Sequence, residues 1–205
     1  MTIKPSKNPY GYKELLVYKK AEVLQSETVK LTGQFPTRKT TLALADQMNR
    51  SARSTKQNIV EGWKRNSTKE YYEFLGFAVA SNAELEEDCL DIWKGFYPEL
   101  MEIKGIMGER GEKVEDIDKI PFYPLDFSLP LAVQCRLRCK ELNFLLEKLQ
   151  KSLVSKMSAE RTLPLHERQK ISENKEREFD KWLDEEIINQ GFVKLSDGRI
   201  VRKEQ

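Results

Sequence analysis

An all-α protein, built as an antiparallel up-down four-helix bundle with an added C-terminal helix and a short β-hairpin, is predicted by three features of the sequence. Apolar residues recur at alternating spacings of three and four through four long segments, the period that sets one stripe of a helix against its neighbours. Helix breakers separate the segments at Pro36, between Gly62 and Ser67, and at Pro98. Near the C-terminus an Asp197-Gly198 pair stands between two β-prone runs, the strongest short-range hairpin signal.

The first helix is expected over about residues 12–32, where Val17, Ala21, Leu24, Thr28, Leu31 and Phe35 keep the seam and Pro36 stops it. The second, over about 40–63, carries three faces at roughly 100° per residue. Ala45, Met48, Ala52, Thr55 and Ile59 form its core face. Arg50, Arg53, Gln57 and Lys64 lie opposite, and Gln47, Ser51, Ser54, Asn58, Glu61 and Arg65 form a flanking polar stripe. Gly62 is expected to end or bend this helix, and Ser67 with Glu70 reads as the capping box of the next. The third seam is long: Tyr71, Leu75, Ala78, Asn82, Leu85, Cys89, Ile92 and Phe96. Asn82 interrupts it, either setting register or standing at a solvated edge. Pro98 closes that helix.

A long connection at 98–128 follows, with a short helix over 98–107 or a lid as its expected form and Ile120-Pro-Phe-Tyr-Pro-Leu-Asp-Phe-Ser-Leu-Pro130 as an apolar anchor. The fourth helix is expected over about 129–156, with Ala132, Cys135, Cys139, Leu142, Leu146, Leu149 and Leu153 in register. Residues 1–157 thus read as the bundle. Residues 158–205 read as an appendage: a polar linker to Lys170, a helix capped by Ser172 and ended by Gly191, and the hairpin, which is marginal alone.

The 205 residues are 33% charged and 39% hydrophobic, which fits a soluble, helix-rich protein. No run of 18 apolar residues occurs and residues 1–10 are polar, so the expected location is the cytoplasm, without a membrane. Net charge is +2, yet residues 1–70 hold 14 Lys and Arg against 6 Asp and Glu. That asymmetry suits an acidic partner such as nucleic acid, or self-association through opposite charges.

Catalytic chemistry has little to stand on. His166 is the single histidine and sits in the predicted linker; no phosphate loop, dinucleotide fingerprint or metal-ligand cluster appears. The three cysteines follow no zinc or disulfide pattern and read as buried small hydrophobes. Glu84, Glu86, Glu87, Asp88 and Asp91 read as a solvated acidic face rather than metal ligands. No cofactor is expected. Asn58 and Glu61 could orient a substrate, but with Gln47 and Gly62 they read better as structural, satisfying a neighbouring helix or subunit. Trp63 is either a base-stacking ring or a packing plug. The nucleic-acid-binding candidates are Arg50, Arg53, Lys56, Lys64 and Arg65, with Lys19 and Lys20 from helix one, because phosphate contacts need such side chains without requiring a motif. The expected function is that of a non-catalytic nucleic-acid-associated accessory protein. A protein-interaction scaffold that binds no nucleic acid is the alternative.

Tyr12-Lys-Glu-Leu-Leu-Val-Tyr-Lys-Lys-Ala21, Leu31-Thr-Gly-Gln-Phe35-Pro36, Gln47-Met-Asn-Arg-Ser-Ala52, Asn58-Ile-Val-Glu61-Gly62, Arg65-Asn-Ser67 and Glu84-Leu-Glu86 resemble, in order and spacing, a small four-helix-bundle family. It is the family first named for proteins encoded in intervening sequences of bacterial ribosomal RNA genes. That family in turn resembles the accessory variability protein of diversity-generating retroelements, a basic pentameric barrel associated with a reverse transcriptase and nucleic acid. The resemblance implies a homo-pentamer, a scaffolding role, and family positions at Asn58, Glu61, Gly62, Arg50 and Arg53. The long connection and the tail lie outside it.

Overall fold

The computed structural model describes residues 8–103, 106, 117–195 and 199–202, apart from the side chains of Glu160 and Lys175. Helices dominate. They are α1 (Leu16–Thr32), α2 (Lys39–Lys64), α3 (Thr68–Trp93), α4 (Leu131–Thr162) and α5 (Leu165–Asn189), followed by strands β1 (Phe192–Lys194) and β2 (Ile200–Arg202). The all-α class with a small antiparallel hairpin is therefore present. No helix among the described residues is long and apolar enough to cross a membrane.

A 3-10 turn, Gly11–Glu14, precedes α1, which starts later than expected. Helix α1 ends at Thr32, leaving Phe35 beyond its end, where the ring still packs on the core. In α2 the buried stripe runs Thr41, Leu44, Met48, Ala52, Thr55, Ile59 and Gly62. Leu44 takes the place expected for Ala45, because the seam steps four residues back from Met48 rather than three. The capping box of α3 forms: the Glu70 N–H donates to Ser67 Oγ at 3.1 Å, and the Ser67 hydroxyl donates to Glu70 Oε2 at 2.8 Å.

The α3 seam is buried in the expected register from Tyr71 to Ile92, but Phe96 is 66% exposed. Helix α3 stops at Trp93, and Gly95, at φ 81°, supplies the left-handed residue that turns the chain well ahead of Pro98.

Of the helix expected over 98–107, the described residues contain a 3-10 turn, Pro98–Leu100; residues 104, 105 and 107 lie outside them. The apolar anchor is present as a strap. Ile117, Ile120, Phe122, Leu125 and Leu129 pack with Leu90 and Trp93 of α3 against Val133 and Leu137 of α4, forming a second cluster beside the main core.

Helices α1 to α4 share the main core. Asn49, near the middle of α2, meets Thr32 of α1, while Trp63, in the last turn of α2, lies against Gly11. Ser51 reaches Glu84 and Ser54 reaches Ser81, so α3 runs back along α2. Gln150 and Asn82 tie α3 to α4, and the Lys20–Glu141 ion pair at 2.6 Å ties α1 to α4.

The polar linker expected after residue 157 is helix instead: α4 continues to Thr162, and α5 begins at Leu165. Only Leu163 and Pro164 separate them, because proline forces its predecessor into an extended conformation, seen at Leu163 with φ −76° and ψ 142°. Ser172 lies inside α5 rather than at its cap, and His166 is in its first turn, exposed. Gly191, at φ 80°, follows α5. Strands β1 and β2 pair antiparallel, with Val193 opposite Val201. The Asp197-Gly198 turn lies outside the described residues.

Candidate nucleic-acid interface

Helix α2 turns Arg50, Arg53 and Lys64 to solvent because its core stripe occupies the opposite side. Their surroundings differ. Arg50 forms a two-point pair with Asp46, at 2.8 Å and 3.1 Å. Arg53 is exposed and, among the described residues, has no carboxylate partner. Lys56 is half-buried. Lys64 stands 5.9 Å from the centre of the Tyr10 ring, and the Arg65 guanidinium lies 4.2 Å from the Phe74 ring centre and 4.0 Å from Glu61.

On α1, Lys19 pairs with Glu14 at 3.0 Å and Lys20 with Glu141. The seven candidate cations therefore differ in how far their charge is compensated. Local carboxylates neutralise Arg50, Lys19 and Lys20, while Arg53, Lys56 and Lys64 keep uncompensated charge among the described residues.

The polar stripe of α2 lies along its junction with α3. Gln47 and Ser51 donate to Glu84 at 3.5 Å and 3.1 Å, and Asn58 donates to Ser54 Oγ at 3.2 Å. Glu61 is exposed beside Arg65. Gly62 does not end α2, which continues to Lys64. It lies buried against α3, where an added Cβ would sit 2.8 Å from both Phe74 Cβ and Tyr71 Cδ2. Trp63 is a packing plug: its Nε1 donates to the Asn8 carbonyl at 3.0 Å, and its ring meets Tyr71 edge to face.

Asn82 is fully buried rather than at a solvated edge. Its Nδ2 donates to the Cys139 carbonyl and to Asn143 Oδ1, both at 2.8 Å. Asn143 donates onward to Glu86, which stands 3.8 Å from Arg136. Arg136, with a side chain only 5% exposed, reaches the strap through the Ile117 carbonyl at 3.2 Å and Asp118 at 2.5 Å. Periodicity gave no sign that Arg136 would be buried, since it stands off the α4 seam and the strap is what covers it.

One guanidinium thus faces two carboxylates in opposite conditions. Burial pushes the Glu86 carboxyl up despite Arg136, Lys140 and Asn143, whereas the Arg136 hydrogen bond holds the exposed Asp118 down. The three cysteines are buried and free. Burial pushes the Cys139 thiol well up, and the neighbouring Cys135 thiol together with burial does the same to Cys89, so both are poor nucleophiles. Among the described residues no cluster of ligating side chains could hold a metal.

The acidic side of α3 carries a cost to stability at neutral pH. Burial, then Asp91 and Glu84, push the Asp88 carboxyl up to about 6, and its Oδ2 is buried without a hydrogen-bond donor among the described residues. Since the folded-state value exceeds the unfolded one, the folded chain holds this proton more tightly. Stability from this group is therefore lost as pH rises from about 4 to about 6. Asp88→Asn is expected to raise stability by on the order of 1–2 kcal/mol at pH 8, after allowance for partial exposure, and by almost nothing at pH 4. Urea unfolding of both proteins at the two pH values checks this; an equal difference at both would refute it.

No curated protein and no solved structure matches the chain. Residues 13–95, which run from the turn before α1 through the end of α3 and include Arg50, Arg53, Asn58, Glu61 and Gly62, match the family model of the 23S rRNA-intervening sequence protein.

Proposed function

We propose that the chain is a member of that family acting as a non-catalytic accessory protein that associates with nucleic acid, RNA above all, as a partner of a reverse transcriptase. The observation that carries this reading is the outward side of α2, where Arg50, Arg53 and Lys64 are exposed away from the core and Arg53 and Lys64 have no carboxylate partner among the described residues. Such a face makes phosphate contacts that position a nucleic acid without reading its sequence. The neighbouring helices form an antiparallel up-down four-helix bundle, and copies assemble into a homo-pentamer. Support for self-association comes from the α2–α3 side: Phe77 is 56% exposed, its ring meets Phe74, and the Arg65 guanidinium lies over Phe74. Exposed aromatic and arginine groups of this kind are enriched at interface centres. Gln47, Asn58 and Glu61 line the same side.

Charge reversal at Arg50 and Arg53 together is expected to weaken RNA binding at least about tenfold at roughly 0.1 M salt and to flatten the salt dependence by about one to two phosphate contacts, Arg50 counting for less because Asp46 already pairs with it, with the solution mass unchanged. Fluorescence anisotropy and light scattering measure both. Unchanged, salt-dependent binding would sink the assignment. The rival reading, a protein scaffold in which the acidic α3, the basic α2 and the C-terminal hairpin dock partner proteins and no nucleic acid binds, predicts partner capture that survives nuclease treatment.

A further inference from the structure

We propose that Tyr10, flanked by Lys13 and Lys64, is a stacking platform for an unpaired base of single-stranded nucleic acid, at the end of the bundle where α2 gives way to α3. This rests on the nucleic-acid reading and specifies the form of the ligand.

Tyr10 is 58% exposed, yet the turn that carries it is firmly held. The Tyr10 N–H donates to Asn8 Oδ1 at 2.8 Å, and the Asn8 carbonyl accepts from both the Gly11 N–H and Trp63 Nε1, each at 3.0 Å. Gly11 approaches the Trp63 ring so closely that a Cβ there would meet Cζ2 at 2.7 Å. Trp63 is thus the peg that fixes the turn to the last turn of α2, and Tyr10 is the ring left facing water.

Two cations stand over this ring. Lys13 Nζ stands 5.5 Å and Lys64 Nζ 5.9 Å from the ring centre, within cation–π range. Among the described residues neither has a carboxylate partner, whereas nearby Lys19, Arg65 and Lys69 pair with Glu14, Glu61 and Glu73.

An exposed, pre-positioned aromatic ring with unpaired ammonium groups over it suits a single strand: as a base arrives, the flexible lysines yield the π-face, which takes any base, and engage the backbone phosphates. A duplex buries its base faces in its own stack and offers the ring only phosphate. A protein partner is disfavoured, because lysine is depleted at the centres of protein interfaces.

The test is fluorescence anisotropy of the full chain with a labelled uridine oligonucleotide of about 20 residues and with a duplex of equal length. The single strand should bind more tightly. Tyr10→Ala should weaken it roughly 5- to 100-fold with an unchanged melting curve, Tyr10→Phe should retain it, and Lys13→Ala with Lys64→Ala should flatten its salt dependence by about two phosphate contacts. If Tyr10→Ala binds like the parent, or if duplex and single strand bind alike, the platform is refuted. Should charge reversal at Arg50 and Arg53 still weaken binding in that case, the broader nucleic-acid reading stands without it. If neither probe binds in a salt-dependent way, the broader reading falls and takes the platform with it.

Discussion

Arg136→Ala is expected to lower the unfolding free energy by about 3–5 kcal/mol, the cost of removing one partner from a buried charged pair. Arg136 joins three parts of the molecule: the strap through Ile117 and Asp118, α3 through Glu86, and, beyond Asn143, the buried Asn82. Without the guanidinium, the Glu86 carboxyl keeps its burial and loses its main compensation, and the strap keeps only its apolar contacts. Combining Arg136→Met with Glu86→Gln should recover most of the loss, because no unpaired charge then remains inside. Urea unfolding measures both variants. A loss below about 1 kcal/mol for the alanine variant would mean that water already screens this network.

Gly62→Ala should come next in effect, at about 1–3 kcal/mol of destabilisation. The new methyl would overlap Phe74 Cβ and Tyr71 Cδ2 at 2.8 Å and press on the Tyr71 carbonyl at 3.3 Å. Relief would require α2 and α3 to separate just where the capping box begins α3. The improved helix propensity of alanine, about 1 kcal/mol, offsets only part of that. Gly76→Ala is the control, since its Cβ would meet only the far end of Gln150 at 3.7 Å; it should be neutral or stabilising by up to about 1 kcal/mol. Thermal melting that ranked the two substitutions in the opposite order would refute close packing as the role of Gly62.

Much of the fold was legible because helical periodicity is a local property. The seams of α1 to α4, the Ser67–Glu70 cap, Gly191 and the paired strands all follow from spacings within a few turns. Misplaced boundaries came where two local signals competed. Gly95 ended α3 before Pro98 could, and helical propensity carried α4 through a stretch whose polarity read as a linker, since a helix with no core to face has no apolar stripe to reveal it. Gly62 illustrates the same limit: in a sequence it reads as a breaker, but two helices can also approach closely at a residue without a side chain.

The candidate site divides along the same line. By itself the sequence determined the three faces of α2, because residues at fixed angular spacing point in fixed directions on any helix. It thereby determined that Arg50 and Arg53 face away from the core, that Gln47, Ser51 and Ser54 share a stripe, and that the three cysteines lie in seams. Only the tertiary structure decided that Lys20 pairs with Glu141, that the strap buries Arg136, and that Tyr10 and Lys64, 54 positions apart in the chain, meet at one end of the bundle. Contacts of this kind depend on distances between segments remote in sequence, and no local period encodes those distances.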